Sequence, residues 1–135
     1  MRFELSVPRP PDIKHDRELN LLSAFLTDLV AEIPELEAFY ATANSREEAL
    51  LDRAEISPEG LKPHLTAPAS ASYGFSFWLW SPAPSGDFKI SGILGGTDPE
   101  APCGILINFP KSSVLNDPQL QDQIRALADR HFQYT

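Results

Sequence analysis

The chain has 135 residues, enough for one domain that buries a core without disulfides or a structural metal. Its 11 Lys and Arg against 19 Asp and Glu leave a formal charge of -8 and a pI of about 4.7. That balance works against binding nucleic acid or an anionic membrane and favours a basic protein partner. A single cysteine, Cys103, excludes an intramolecular disulfide. The opening residues carry a charge at Glu4 and no apolar leader, and no apolar run reaches the roughly 18 residues of a membrane helix, so a cytoplasmic chain is expected.

In chain order, Phe3, Leu5 and Val7 alternate with polar residues, which predicts a strand over residues 2–7, closed by Pro8, Pro10 and Pro11. The period then changes. Leu19, Leu22, Leu26, Leu29 and Ile33, with Phe25 widening the stripe, predict an amphipathic helix over residues 16–33, with Asp16 as N-cap and Pro34 as stop. Leu36, Phe39 and Tyr40 form a short amphipathic patch. Ser45 and Glu48 make a capping box for a brief helix whose Ala49 and Leu50 should pack inward. Ser57-Pro58-Glu59 starts another short helix, which Gly60 and Pro63 weaken.

Residues 66–72 read as a loop. Tyr73, Phe75, Phe77 and Leu79 then share one face of a strand, and Ser76, Trp78 and Trp80 the other. Both faces are largely apolar, so this strand should be central or covered on both sides. A turn over 82–86 leads to Phe88, Ile90, Gly92 and Leu94, and a turn over 95–99 leads to Ile105, Ile107 and Phe109. Three strands with short turns make a meander. A last helix, from Asp117 or Pro118 to His131, carries Leu120, Ile124, Leu127 and Ala128 as its stripe. Helices segregate from strands, so the fold class is α+β: a single domain over 1–135, with an antiparallel meander sheet packed by the N-terminal amphipathic helix and the C-terminal helix.

Reactive chemistry finds little footing. Nothing in the spacing pairs Cys103 with His15, His64 or His131, so a thiol nucleophile lacks a base and Cys103 reads as packing. The same histidines are too scattered for a metal motif. Gly95-Gly96-Thr97 has no lysine and joins two strands, so it reads as a hairpin turn and not a phosphate loop. The aromatic run over 73–80 lacks interleaved basic residues for stacking on nucleic acid; its Phe face reads as core, and Trp78 and Trp80 as core or interface. Glu47-Glu48 and the carboxylates Asp28, Glu32, Glu35 and Glu37 show no cleft pairing and read first as a solvated face. The second reading of Asp28, Glu32, Glu35 and Glu37 is a partner-binding acidic ridge with Phe39 and Tyr40 as its anchor. No catalytic residue, metal or cofactor is expected, and the oligomeric state is left open.

The ordered set Arg2-Phe3-Glu4-Leu5-Ser6-Val7, Leu22-Ser23-Ala24-Phe25-Leu26-Thr27-Asp28-Leu29, Pro34-Glu35-Leu36 with Phe39-Tyr40, Ser45-Arg46-Glu47-Glu48-Ala49-Leu50, Phe75-Ser76-Phe77-Trp78-Leu79-Trp80, Gly92 and Ile105-Leu106-Ile107-Asn108-Phe109-Pro110 resembles the bacterial immunity protein 52 family. The resemblance implies a non-enzymatic protein that binds and neutralises one cognate toxin effector domain, a basic one such as a nuclease being a candidate partner. It also implies further strands past the last helix, so the chain is expected to be a short or truncated member. The rival expectations are an adaptor module of a secretion or phage system, holding its partner through a sheet edge, and an unrecognised small hydrolase using Cys103 or His64.

Overall fold

The computed structural model describes residues 1–41, 46–67, 70–82 and 86–134. It is an α+β domain with a seven-stranded antiparallel sheet, helices lying against one face of it. The chain runs β1 (Arg2–Ser6), α1 (His15–Glu32), β2 (Phe39–Ala41), α2 (Arg46–Leu50), β3 (Arg53–Ala54) and α3 (Pro58–Leu61). It continues through β4 (Leu65–Thr66), β5 (Phe75–Ser81), β6 (Phe88–Leu94), β7 (Gly104–Asn108) and α4 (Pro118–His131). Strand order is β1-β7-β6-β5-β2-β3, with β4 pairing β5 beside β2. The expected meander β5-β6-β7 is present, and the N-terminal strand adds to its far side, pairing Phe3 with Ile107 and Leu5 with Ile105.

The packed face of the sheet follows the period-2 pattern. Phe3, Leu5, Ile105, Ile107, Ile90, Phe75, Phe77 and Leu79 are all buried, and α1 and α4 lay their apolar stripes on them. Phe25 of α1 is central, its ring 5.6 Å from Phe132 just past α4. Gly92 stands opposite Phe77, whose ring fills the space a side chain would need: a Cβ there would lie 2.8 Å from it.

The expected helix ends hold in part. Ile33, extended ahead of Pro34, closes α1. The helix begins one residue earlier than expected, with Lys14 in the N-cap position and no side-chain cap, so Asp16 lies in the first turn and is not the cap. There its charge still faces the positive end of the helix dipole. Ser57 does cap α3, accepting from Gly60 N at 2.9 Å, and Asp117 caps α4, accepting from Gln119 N at 2.9 Å. The expected cap Ser45 lies outside the described residues, as do 83–85 of the expected 82–86 turn.

Two further expectations fail. Tyr73 is not in the strand; it ends a 3-10 turn and is 45% exposed, because Gly74 at φ 81 breaks the extended run. Leu50 does not pack inward but is 43% exposed, since α2 is a five-residue helix at the edge of the sheet. β5 is central, the first of the two placements expected for it; on its second face Trp78 is 66% exposed and Trp80 is buried.

Gly74 admits nothing larger. A Cβ would sit 2.2 Å from the Leu94 carbonyl oxygen and 2.7 Å from Gly96 N, in a backbone conformation L residues avoid. Gly74→Ala is expected to lower stability by about 2–4 kcal/mol, strain and overpacking together, read as a drop in the urea midpoint at unchanged m.

Candidate functional site

The six residues of the expected acidic ridge do not form one surface. Asp28 accepts from His131 Nε2 at 2.6 Å, tying α1 to α4. Glu35 Oε1 accepts from Ser113 Oγ and from Val114 N, both at 2.9 Å, and so caps the turn ahead of α4. Phe39 is fully buried in the core and supplies no exposed anchor; its position in β2 turns it toward the packed face. Tyr40, next along the strand, turns the other way and is half-buried, its ring 5.8 Å from that of Trp80. Only Glu32 and Glu37 are exposed. The ridge breaks up because two of its carboxylates are spent on joining elements, a use that spacing along one helix does not reveal.

An exposed acidic surface lies further along the chain. Between Glu37 and Glu59 there are six carboxylates against Arg46 and Arg53. Glu37, Glu47, Glu48, Asp52, Glu55 and Glu59 are all exposed. The chain folds tightly there: Ala41 N donates to the Asp52 carbonyl at 3.0 Å, and β3 pairs with β2 at the end of the sheet. Glu37, Arg53 and Glu55 line one shallow groove of about 410 Å³. In the middle of these charges Leu51 is 88% exposed, with Leu50 beside it.

The second candidate surface is the sheet face opposite the helices. Trp78, Ile93, Leu106 and Pro102 line a groove of about 520 Å³ floored by Ser76, Ser91 and Gly104. An antiparallel sheet with one packed face commonly turns a polar face to water; this one shows a tryptophan at its centre.

The candidates for catalysis sit apart from both surfaces or lack activation. Cys103 is half-buried, burial pushes its thiol above the ordinary value, and its Sγ faces the Pro8 carbonyl at 3.8 Å. A nucleophilic thiol needs the opposite shift. His131 is engaged by Asp28, His15 packs edge-on against Phe75 at 5.7 Å, and His64 ends a 3-10 turn. Among the described residues no group of three His, Cys, Asp or Glu could hold a metal ion. The Gly95-Gly96-Thr97 turn directs Thr97 N, with Asp98 N, onto the Ser72 carbonyl at 2.9 and 3.0 Å. Those donors serve the fold and not a phosphate.

A buried ionic group completes the picture. Glu18 is fully buried; it accepts from Arg17 Nε at 3.1 Å and from the Tyr134 hydroxyl. Arg17 also reaches Asp12 Oδ1 at 2.7 Å, and this pairing, with Lys14 behind it, holds the Asp12 carboxyl below its usual range. The cluster ties the start of α1 to the tail beyond α4. No helix among the described residues is long and apolar enough to cross a membrane. No family model, curated protein or solved structure matches this chain.

Proposed function

We propose that this chain is an immunity protein that binds and neutralises a cognate bacterial toxin by stoichiometric occlusion, with the acidic lobe around α2 and β3 as its contact surface. The observation that carries the reading is Leu51, 88% exposed between Leu50 and Asp52, with the exposed Glu47 and Glu48 on the helix just before it. An apolar side chain held out among carboxylates suits a partner that offers a small apolar pocket ringed by basic groups, as a nuclease active site does. The carboxylates would steer encounter and the leucine would hold the complex. The net charge of -8 and the lack of an activated nucleophile at Cys103 agree with a binding role.

The test is co-expression with the toxin domain encoded beside this chain, followed by association kinetics. Rescue of growth and a one-to-one complex are expected. Glu37→Lys with Glu55→Lys should slow association about tenfold at low salt and flatten its salt dependence. Leu51→Asp should instead speed dissociation about tenfold or more. A toxic neighbour that is neither bound nor rescued would sink the reading; full rescue with both rates unchanged would remove this lobe from the interface. The adaptor reading has one observation in its favour, the edge strand β1, which among the described residues pairs only with β7. Its sign would be several partners captured through β1 in place of one.

A further inference from the structure

We infer that the groove on the open sheet face is a binding site for a free small molecule, a flat aromatic carboxylate whose ring lies between Trp78 and Leu106 and whose acid group meets Lys89. The inference is independent of the toxin reading.

Register sets the walls of the site. Trp78 pairs with Ser91 and Ser91 with Leu106, so three outward side chains stand in one row across β5, β6 and β7. The outer two are large and the middle one is small. Neighbouring strands lie about 4.8 Å apart, so the backbones that carry the two walls are about 9.6 Å apart. Carbon contacts are best at about 3.5–4.0 Å: one flat ring touching both walls takes up about 7–8 Å, and two stacked rings need more than about 10 Å. The slot over Ser91 therefore admits a single ring system standing on edge. Trp78, 66% exposed, leaves its ring free to be covered.

The length of the slot runs along β6. Lys89 and Ile93 stand two residues to either side of Ser91 on the same face, about 13 Å from each other. Beyond Ile93 the groove continues over Gly104 to Pro102. Its floor stays low there because Gly104 has no room for a side chain: a Cβ would meet the Leu5 carbonyl oxygen at 2.9 Å. The volume of about 520 Å³ lies within the range of small-molecule sites.

Charge chooses the Lys89 end for an acid group. Lys89 is exposed and makes no ion pair among the described residues. Its register partner Asn108 sets an amide beside it. Glu4, which also lines the groove, lies on the far side of Leu106 and is held by Arg2 at 2.6 Å. Asp87 lies on the side of Lys89 away from Ser91. The half-buried Ser91 hydroxyl, engaged by no partner among the described residues, adds a donor at the floor. An ammonium beside a one-ring slot matches a carboxylate carried on a flat ring.

The probe is 2-naphthoate, titrated into the full chain by calorimetry beside two relatives, the puckered decalin-2-carboxylate and the neutral 2-naphthamide. One-to-one binding of 2-naphthoate with a Kd of about 0.1 mM is expected, and each relative should bind about tenfold more weakly. Lys89→Gln should weaken 2-naphthoate about tenfold and leave 2-naphthamide unchanged. Ser91→Leu fills the slot and should weaken both about 30-fold or more with the circular dichroism unchanged; Trp78→Ala, at an exposed position, should weaken both about tenfold. No saturable binding up to about 5 mM, equal affinity for the puckered acid, or binding indifferent to both Ser91→Leu and Trp78→Ala would each overturn the inference. A tripeptide ending in phenylalanine that bound more tightly than 2-naphthoate would assign the slot to a protein terminus and overturn the free ligand.

Discussion

Phe25→Ala should cost about 3–5 kcal/mol, close to the upper range for emptying an aromatic site in a packed core. Phe25 has no exposed surface. Its ring lies 5.6 Å from Phe132 and 6.3 Å from His131, so it fills the junction between α1 and the end of α4. The cavity cannot close cheaply, because α1 also rests on the sheet and a shift toward α4 would lift Leu22, Leu26 and Leu29 off it. Phe25→Leu should recover a large part of the loss. The check is denaturant unfolding of both variants; a loss under about 1 kcal/mol for the alanine would mean that the two helices close over the gap.

Arg17→Met should be comparably damaging, at about 3–5 kcal/mol, because it leaves the Glu18 carboxylate in the interior with Tyr134 as its one remaining named donor. The stem is kept, so lost packing is not the cause. Replacing both residues, Arg17→Met with Glu18→Met, should restore much of the stability, since a buried charge pair exchanged for apolar side chains is often neutral or better. Non-additivity of that kind in a double-mutant cycle is the readout; additive losses would show that Arg17 acts through Asp12 alone.

Tyr134 adds a pH dependence to the same cluster. Burial, then the hydrogen bond to Glu18, pushes its phenol well above the ordinary 10.0. Above pH 10 the unfolded chain releases this proton while the folded chain keeps it, so stability is full below that value and falls as pH rises beyond it. Tyr134→Phe should remove about 1.5–3 kcal/mol at neutral pH and flatten the alkaline limb of a stability-against-pH curve. An unaltered alkaline limb would place the phenol outside the folding equilibrium.

The α+β class, the meander and both packing helices were legible in the residues because each rests on local repetition. Seven residues of alternation in β6, or five turns of stripe in α1, state which face is apolar without reference to the rest of the chain. β2, β3 and β4 were not legible: two or three residues are too few to show a period, and β2 and β4 exist because β5 offers them an edge, β3 because β2 does. The bipolar aromatic strand left two placements open, central or covered on both sides, and the fold takes the first: β5 is central, with its second face open at Trp78 and closed at Trp80.

The candidate surface was harder to see than the fold. Asp28, Glu32, Glu35 and Glu37 share a stretch of sequence, and spacing alone makes them look like one acidic ridge. Tertiary packing brings His131 to Asp28 and Ser113 to Glu35, and turns Phe39 into the core, leaving Glu37 to join the carboxylates around β3. Periodicity reports how a residue lies relative to its own helix or strand, and so it decides core against surface within one element. Which charges remain for a partner depends on groups some 80 to 100 positions away, and only the folded chain brings those groups together.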